Sequence, residues 1–555
     1  MIPKLQSALS VSKWIHLFSQ KFNVYCINRG EELLDQQLCG VGPAQFRDGL
    51  ATVIADGLWR NPNHFFRLRL FVSALANRER FCLLGILRSR NSRSEERSLR
   101  RIGFREFVYL DDDPEFRIEN FMSESENLLS GILHHSEILD LELPNGLPAY
   151  IFYDTVLKIT ANPQPPINHP QWRLSLAELL CSVKIYEREY SNRNVAHVVL
   201  SHPWKTEWAT LLWQALKKEV PSYHLTGFCE AIRIRRFRSP ADYSTPVEHL
   251  TRAAFYDLAP TVQNWLVNFG SAALAKRADG SSTDINASLA YNPSRRIVDR
   301  EKARVELSGQ SAKPIAVIFS HVWYDFPHTF AMTHFTDFRD WIDSTIEKIR
   351  DIDDVVWLLK PHPTENWYGG FRLEDIATDL PSHIRILPLA TETQTVLTAA
   401  DAIVTVHGTV GIEAAAIGKA VLLADRSYYA DWNFAHVASG RADYLEKLGC
   451  ISALSQPDQK ARDEASACFA LALAEPPTEM EAMPMICDSQ GAKIYPEISR
   501  LLNEPTILNA EIQQMSEFLN QSVFDSYASW RLIKMAQRAT IHTGLHVESA
   551  TSVLL

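Results

Sequence analysis

The sequence predicts an α/β protein of two halves, each a parallel sheet covered by helices, and three observations carry that reading. In the C-terminal half, VVWLLKPHPTENW from Val355 and DAIVTVHGTVGIEAAAIGKAVLLADR from Asp401 each open with a short β-branched apolar run that stops in a polar turn. After the second run come a small-residue helix stopped at Gly418 and another buried strand, Ala420 to Ala424, the strand, turn, helix, strand order from which parallel sheets are built. The N-terminal half shows the same alternation, with FCLLGIL at 81–87, a charged helix and REFVYLDDD, then AHVVLSHPW at 196–204, a helix and a short strand. A chain of 555 residues also exceeds what one core supports.

Ligands of such sheets sit outside the carboxyl ends of the strands, where Lys360, His362, His407 and Thr409 emerge. The helix after Gly408-Thr409 starts with unpaired N–H groups and a partial positive charge, which suits a phosphate. Thr409 adds a hydroxyl, and the glycines let backbone approach a ligand. Lys360 and His362, the latter followed by Pro363, bring a charge or a neutral N–H donor. Glu413, one turn into the helix, is placed to accept from ribose hydroxyls. Either stretch alone also reads as plain packing, a His before a strand-ending proline or a tight core helix; together they predict a nucleotide phosphate site.

KPHP at 360–363 and TVHGTVGIEAAAIGKAVL at 405–422, with YLDDDP at 109–114, IFYDTVLK at 151–158 and VIFSHVWYDFPH at 317–328, resemble bacterial capsule and surface-polysaccharide biosynthesis glycosyltransferases. The resemblance covers about residues 80 to 450. It implies a GT-B architecture: two Rossmann-like domains facing a cleft, a nucleotide sugar held mainly by the second, and a C-terminal helix that crosses back to the first. In related enzymes that use CMP-linked sugars, a His-Pro turn and a Ser/Thr helix start hold the nucleotide, which map here onto His362-Pro363 and Thr409. A glycine-rich dinucleotide fingerprint and a P-loop lysine are both missing from the sequence, which removes the usual support for an NAD enzyme or a kinase.

Composition narrows the class further. Hydrophobic residues at 46% and charged residues at 22% are ordinary for a globular protein. The net charge of −10 argues against a nucleic-acid partner. Eight scattered cysteines without a C-x-x-C pair read as reduced thiols, and no apolar run approaches the roughly 20 residues of a membrane span. A cytoplasmic protein is expected, and peripheral contact with the inner membrane or with capsule assembly proteins is compatible with this composition.

In chain order, the first twenty residues read as an amphipathic helix before the strand FNVYCIN, and 42–80 as helical. RNSRSEERSLRRIG is a solvated helix stopped by Gly103. Asp111 to Asp113 close the next strand as a solvated turn before Pro114, or as a metal-binding triplet. Asp154, set among apolar and β-branched neighbours, must be hydrogen-bonded or stand at a sheet's end, so it reads either as a cleft residue or as a satisfied structural group. His202, in a Ser-His-Pro turn, stands in the first half as His362 does in the second. RIRRFRS places Arg233 and Arg235 on a strand that is either an edge near an anionic substrate or an edge protected against aggregation. ADGSSTDINAS at 278–288 is a linker or mobile loop. At the carboxyl end of KPIAVIFSH gather His321, Trp323, Tyr324, Asp325 and His328, too many polar groups for a plain turn. The aromatics of SYYADWNFAH could stack a base or sugar, and EIQQMSEFLNQSVFDSYASWRLIKMAQRA is one long amphipathic helix.

The domains expected are 1–245 on the acceptor side, 246–311 as a helical linker, 312–505 for the nucleotide sugar, and 506–555 as crossover helix and tail. The function expected is glycosyl transfer from a nucleotide sugar to a polysaccharide or lipid-linked glycan, with the leaving phosphate stabilised by Lys360, His362 and the turn at His407-Gly408-Thr409 and no cofactor or metal needed. Asp154 and His321 are the candidate bases, with Asp325 beside them; His202, Arg233, Arg235, Tyr324 and His328 are the candidate acceptor contacts. A sugar-nucleotide epimerase of the same architecture and a noncatalytic scaffold are the rivals.

Overall fold

The computed structural model describes residues 51–542 apart from 227–231, 245–249, 283–284, 310–311, 331, 366–369 and 475–503. The expected N-terminal helix, the FNVYCIN strand and the last thirteen residues fall outside the described ones.

Six strands form the first sheet: β1 (Ala51–Asp56), β2 (Phe81–Leu87), β3 (Glu106–Tyr109), β4 (Val195–Leu200), β5 (Ser222–Thr226) and β6 (Arg233–Phe237). Their spatial order is β3-β2-β1-β4-β5-β6, parallel throughout except for the antiparallel edge strand β6. The second sheet holds β7 (Ile315–Phe319), β8 (Val356–Lys360), β9 (Ile384–Ile386), β10 (Ala402–Thr405), β11 (Ala420–Leu423) and β12 (His436–Val437), all parallel, in the order β12-β11-β10-β7-β8-β9. Counted within its own half, each sheet runs 3-2-1-4-5-6, the doubly wound order whose direction reverses between the first and fourth strands. This is the GT-B pairing of two Rossmann-like sheets. It also corrects one equivalence: His202 follows the fourth strand of its sheet, so its counterpart in the second half is His407, not His362.

The helices that matter below are α1 (Pro62–Ala76), α2 (Arg93–Ile102), α3 (Tyr150–Thr160), α4 (Pro170–Asn192), α5 (Thr206–Lys217), α6 (Pro260–Ala278), α7 (Phe338–Ile349), α8 (Thr393–Ala399), α9 (Val410–Ala416), α10 (Gln459–Ala472), α11 (Pro505–Asn520) and α12 (Tyr527–His542). Gly103 ends α2 at φ +124°, its N–H reaching the carbonyls of Leu99 and Arg100, and Gly418 follows α9 at φ +83°. One apolar cluster runs from Ile54 and Val198 through Tyr153 and Trp172 to Trp323, Phe335 and Trp341, so the halves share a core beneath the crevice.

Three local expectations are corrected. Within 42–80, ATVIAD is a strand, the central β1, whose last five residues are all buried; its alanines hide the β pattern, and parallel strands covered on both faces show no alternation. IFYDTVLK is helical, as α3. The long C-terminal helix breaks at Gln521, where the backbone is extended (φ −86°, ψ 153°). There Arg236 donates to the carbonyls of Gln521 (2.7 Å) and Phe518 (3.0 Å), satisfying the end of α11 from the edge strand β6. Leu508, Met515, Phe518, Tyr527 and Trp530 then join the core of α1, β1 and β2, which carries the C-terminal helices back over the first half.

A close helix contact joins α6 to α10 at Gly270. A β-carbon there would lie 1.8 Å from the Ser466 carbonyl oxygen, backbone that no side-chain rotation can move. Gly270→Ala is expected to lower stability by about 3 kcal/mol through forced separation of the helices, read as a lower midpoint in urea unfolding; an unshifted midpoint would show that the pair opens freely.

Candidate active site

The switch point of each sheet is where the site candidates collect. In the second half, β7 runs into Ser320-His321 and β10 into Val406-His407-Gly408. His321 stacks on Phe338 (ring centroids 4.6 Å, 15°) and touches His407 (4.5 Å), while its Nε2 meets Thr405 Oγ1 at 3.3 Å. The Gly408 N–H donates to the same hydroxyl, and a β-carbon on Gly408 would come within 2.9 Å of it, so glycine is what lets the turn close. Burial holds His321 well below the ordinary imidazole range, with His407 and His362 adding to the effect, and burial brings His407 to about 3. Stacked on Phe338 and with Nε2 against the Thr405 hydroxyl, His321 supports the turn that Gly408 closes.

His362 enters from the neighbouring strand end. Its backbone N–H donates to Ser320 Oγ (3.1 Å), and its Nδ1 accepts from the Thr364 N–H (3.3 Å) and lies 2.9 Å from Thr364 Oγ1. With Nδ1 an acceptor, the ring proton is assigned to Nε2. Burial lowers this imidazole to about 4, against the opposing pull of Asp325, so His362 is a neutral N–H donor at pH 7. Pro363 beside it is half-buried. Lys360 points elsewhere: its ammonium donates to the carbonyls of Leu389 (2.9 Å) and Pro361 (3.4 Å), and burial brings it down to about 8. That corrects its reading as a phosphate ligand, because the ammonium is spent on the Leu389 loop and on the carbonyl next to it in the chain.

Thr409 is half-buried, its hydroxyl 3.3 Å from Tyr428 OH. Glu413 is turned away from any ribose. Arg277 Nε and Tyr291 OH both donate short hydrogen bonds to its carboxylate, and with Glu413 and Tyr291 buried this triad ties α9 to α6. Tyr428, Tyr429, Trp432 and Phe434 are likewise core, Tyr429 reaching the Gly408 carbonyl at 2.7 Å, so these aromatics support the turn from below instead of stacking a base.

Facing them, the first half presents a constellation that the sequence reading missed except for His202. Asp56, fully buried at the end of β1, accepts from the Ser201 N–H (2.5 Å), Ser201 Oγ (2.8 Å) and Trp208 Nε1 (2.9 Å). Ser201 Oγ spends its proton on Asp56, so His202 Nδ1, 3.2 Å away, is the donor to it. Trp59 meets His202 edge-on at 4.6 Å, and His64 and His224 bond the Asp56 and Ser201 carbonyls. Burial brings His202 and His224 each to about 3. The available signal was a carboxylate closing a buried run, ATVIAD, and it required recognising that run as a strand.

The two switch points meet at α3. Lys158 pairs with Asp325 (2.6 Å); its charge contributes to the fall of His202, and that of Asp325 opposes the fall of His362, so the pair stands between them. Asp154, on the same helix, accepts from both the ring Nδ1 and the backbone N–H of His328 (2.7 and 3.0 Å). Tyr324 is buried. Arg233 and Arg235 lie on the far edge strand: Arg233 donates to the Ala472 (2.6 Å) and Ala474 (3.2 Å) carbonyls at the end of α10, and Arg235 to the Asp242 carbonyl (2.7 Å). Their role as acceptor contacts is corrected to capping of chain ends. Asp113 at the earlier carboxylate turn pairs with Arg188 (2.6 Å), and among the described residues no carboxylate, His and Cys group is arranged to hold a metal.

Fold and site together define a two-sheet α/β protein whose matched switch points are linked through the Lys158–Asp325 pair. No family model matches the chain, and no curated protein does. Similar solved structures include the Thermosulfurimonas dismutans KpsC, a beta Kdo 2,4 transferase (13% identity, TM-score 0.30, 49% of this chain and 79% of that one). Others are a Neisseria meningitidis UDP-GlcNAc 2-epimerase bound to UDP-GlcNAc (11%, 0.25, 82% and 99%) and the E. coli ADP-heptose lps heptosyltransferase II (11%, 0.21, 73% and 99%). At these scores the likeness carries no argument about chemistry, which rests on the residues above. No described helix is long and apolar enough to cross a membrane.

Proposed function

We propose that this protein is a glycosyltransferase that moves a sugar from a nucleotide-sugar donor to the hydroxyl of a surface-polysaccharide or lipid-linked glycan acceptor. One observation carries the reading: the chain places two switch-point clusters across one crevice, and their histidines are set as opposite tautomers. His362 offers an N–H donor to a leaving phosphate, whereas His202 donates through Nδ1 to Ser201 Oγ on the other side. Gly408 and Thr409 complete the donor side with backbone and hydroxyl groups. The capsule resemblance of KPHP and TVHGTVGIEAAAIGKAVL supports the acceptor class, and CMP-linked sugars are the first donors to try.

Calorimetry of CMP, UDP, GDP and dTDP against the purified chain tests the donor side. One of the four is expected to bind, and His362→Ala is expected to weaken that binding about tenfold to a hundredfold, the loss of one hydrogen bond to a charged group. No binding by any of the four would overturn the reading. Formation of an epimerised donor without any acceptor would favour the epimerase instead.

A further inference from the structure

We propose that His328 and Asp154 form a proton-accepting dyad assembled across the two halves, in which His328 Nε2 takes the proton of the attacking acceptor hydroxyl. The inference rests on the transferase reading, and it moves the base from Asp154 to the histidine that Asp154 holds.

Asp154 is 2% exposed and both its carboxylate oxygens are engaged by His328, one by the ring Nδ1–H and the other by the backbone N–H. It has no oxygen left for a substrate, but it sets the imidazole tautomer, orients the ring and faces the charge the ring would gain. The ring is held on its flat side too. Tyr150 lies parallel to it at 5.4 Å and itself parallels Tyr243 at 6.3 Å, and Tyr153 meets it edge-on at 5.8 Å while donating to Asp337 (2.6 Å). The one polar atom of the group left over is Nε2, buried and without a hydrogen-bond partner. His64, His197 and His224 also have one such ring nitrogen each, so what sets His328 apart is the bond of its other nitrogen to the buried Asp154 carboxylate.

The charged groups acting on His328 are Asp154 on α3, Asp337 at the start of α7 and Asp425 after β11. Burial alone would lower the imidazole, but these three carboxylates outweigh it and the net shift is upward. This is opposite to His202, His321, His362 and His407, and it suits a ring that must carry a proton during the reaction. In the step itself, the acceptor O–H proton passes to Nε2 as the acceptor oxygen bonds the anomeric carbon. The bond from that carbon to the phosphate oxygen breaks, and its electron pair leaves with the nucleotide. The imidazolium, paired with Asp154, then releases its proton to water. Asp154 belongs to the first half and His328 to the second, so the base depends on the core that the two halves share.

The first test needs no substrate. In the full chain labelled with 15N-histidine, long-range NMR correlations lost in His328→Gln identify the ring, which is expected to show a protonated Nδ1 and a bare Nε2 at pH 8 and to titrate above the ordinary imidazole value. A ring protonated at Nε2 at pH 8 could accept nothing and would overturn the dyad. The second test follows nucleotide release, with water as acceptor, from UDP-GlcNAc, GDP-mannose, dTDP-glucose and CMP-sialic acid. His328→Gln is expected to lower the rate by about a hundredfold or more with nucleotide affinity within about twofold. Asp154→Asn should move the acid limb of the pH-rate profile to lower pH, because the carboxylate that raises the imidazole is gone. Near-normal turnover in His328→Gln would make the pair a strap between the halves and nothing more. If no nucleotide binds at all, the transferase reading fails while the NMR result still decides whether Nε2 is bare.

Discussion

Acidification from pH 7 to 5 is expected to cost this protein several kcal/mol of stability, a large share of what a domain of ordinary stability has. The cause is a set of buried histidines that the fold keeps neutral, His202 and His362 among them. Burial brings His224 and His407 each to about 3 and His321 well below its ordinary value. In the unfolded chain they titrate near about 6.5. A histidine depressed in the fold contributes stability that is fully present above the unfolded value and is lost as the pH falls toward the folded one. At pH 5 each such ring costs about 2 kcal/mol, because the unfolded chain binds a proton that the folded one refuses. His328, raised by Asp154, runs the opposite way and offsets part of one ring. The melting temperature should therefore fall by roughly 5 to 10 °C between pH 7 and 5, and a profile flat across that window would show that these rings are not buried neutral.

Removing the Glu413 carboxylate is the second large effect. Glu413→Ala is expected to destabilise the protein by about 3 kcal/mol, since it leaves the buried Tyr291 hydroxyl and the largely shielded Arg277 guanidinium without their carboxylate. Glu413→Gln keeps the shape but loses the charge opposite Arg277, and it should fall between the two. Urea unfolding of the three proteins gives the order directly. Nucleotide affinity is the control: a loss of binding with an unchanged unfolding midpoint would return Glu413 to the ribose.

The glutamate shows where reading the sequence stops. Its place, one turn into a small-residue helix after a strand, is legible because it depends on neighbours a few residues away; its partners Arg277 and Tyr291 stand 136 and 122 residues off in the chain. The same holds for Lys360, correctly placed at the end of β8 and yet turned to a carbonyl 29 residues on. Arginines alternating along β6 announce an edge strand, but that they close the ends of α10 and α11 depends on helices more than 230 residues later.

What the sequence alone determined is the set of short-range features: the apolar runs of β2, β4, β7, β8, β10 and β11, the stop at Gly103, and the polar turns of which His362 and His407 are part. Local sterics and the burial of a few adjacent side chains are enough to specify these. Tertiary structure alone decided that ATVIAD is the central strand, that His202 corresponds to His407, and that Asp154 meets His328 across 174 residues. A buried charge takes whichever donor the folded chain brings within hydrogen-bond reach, and that depends on the packing of two sheets, which no local pattern encodes.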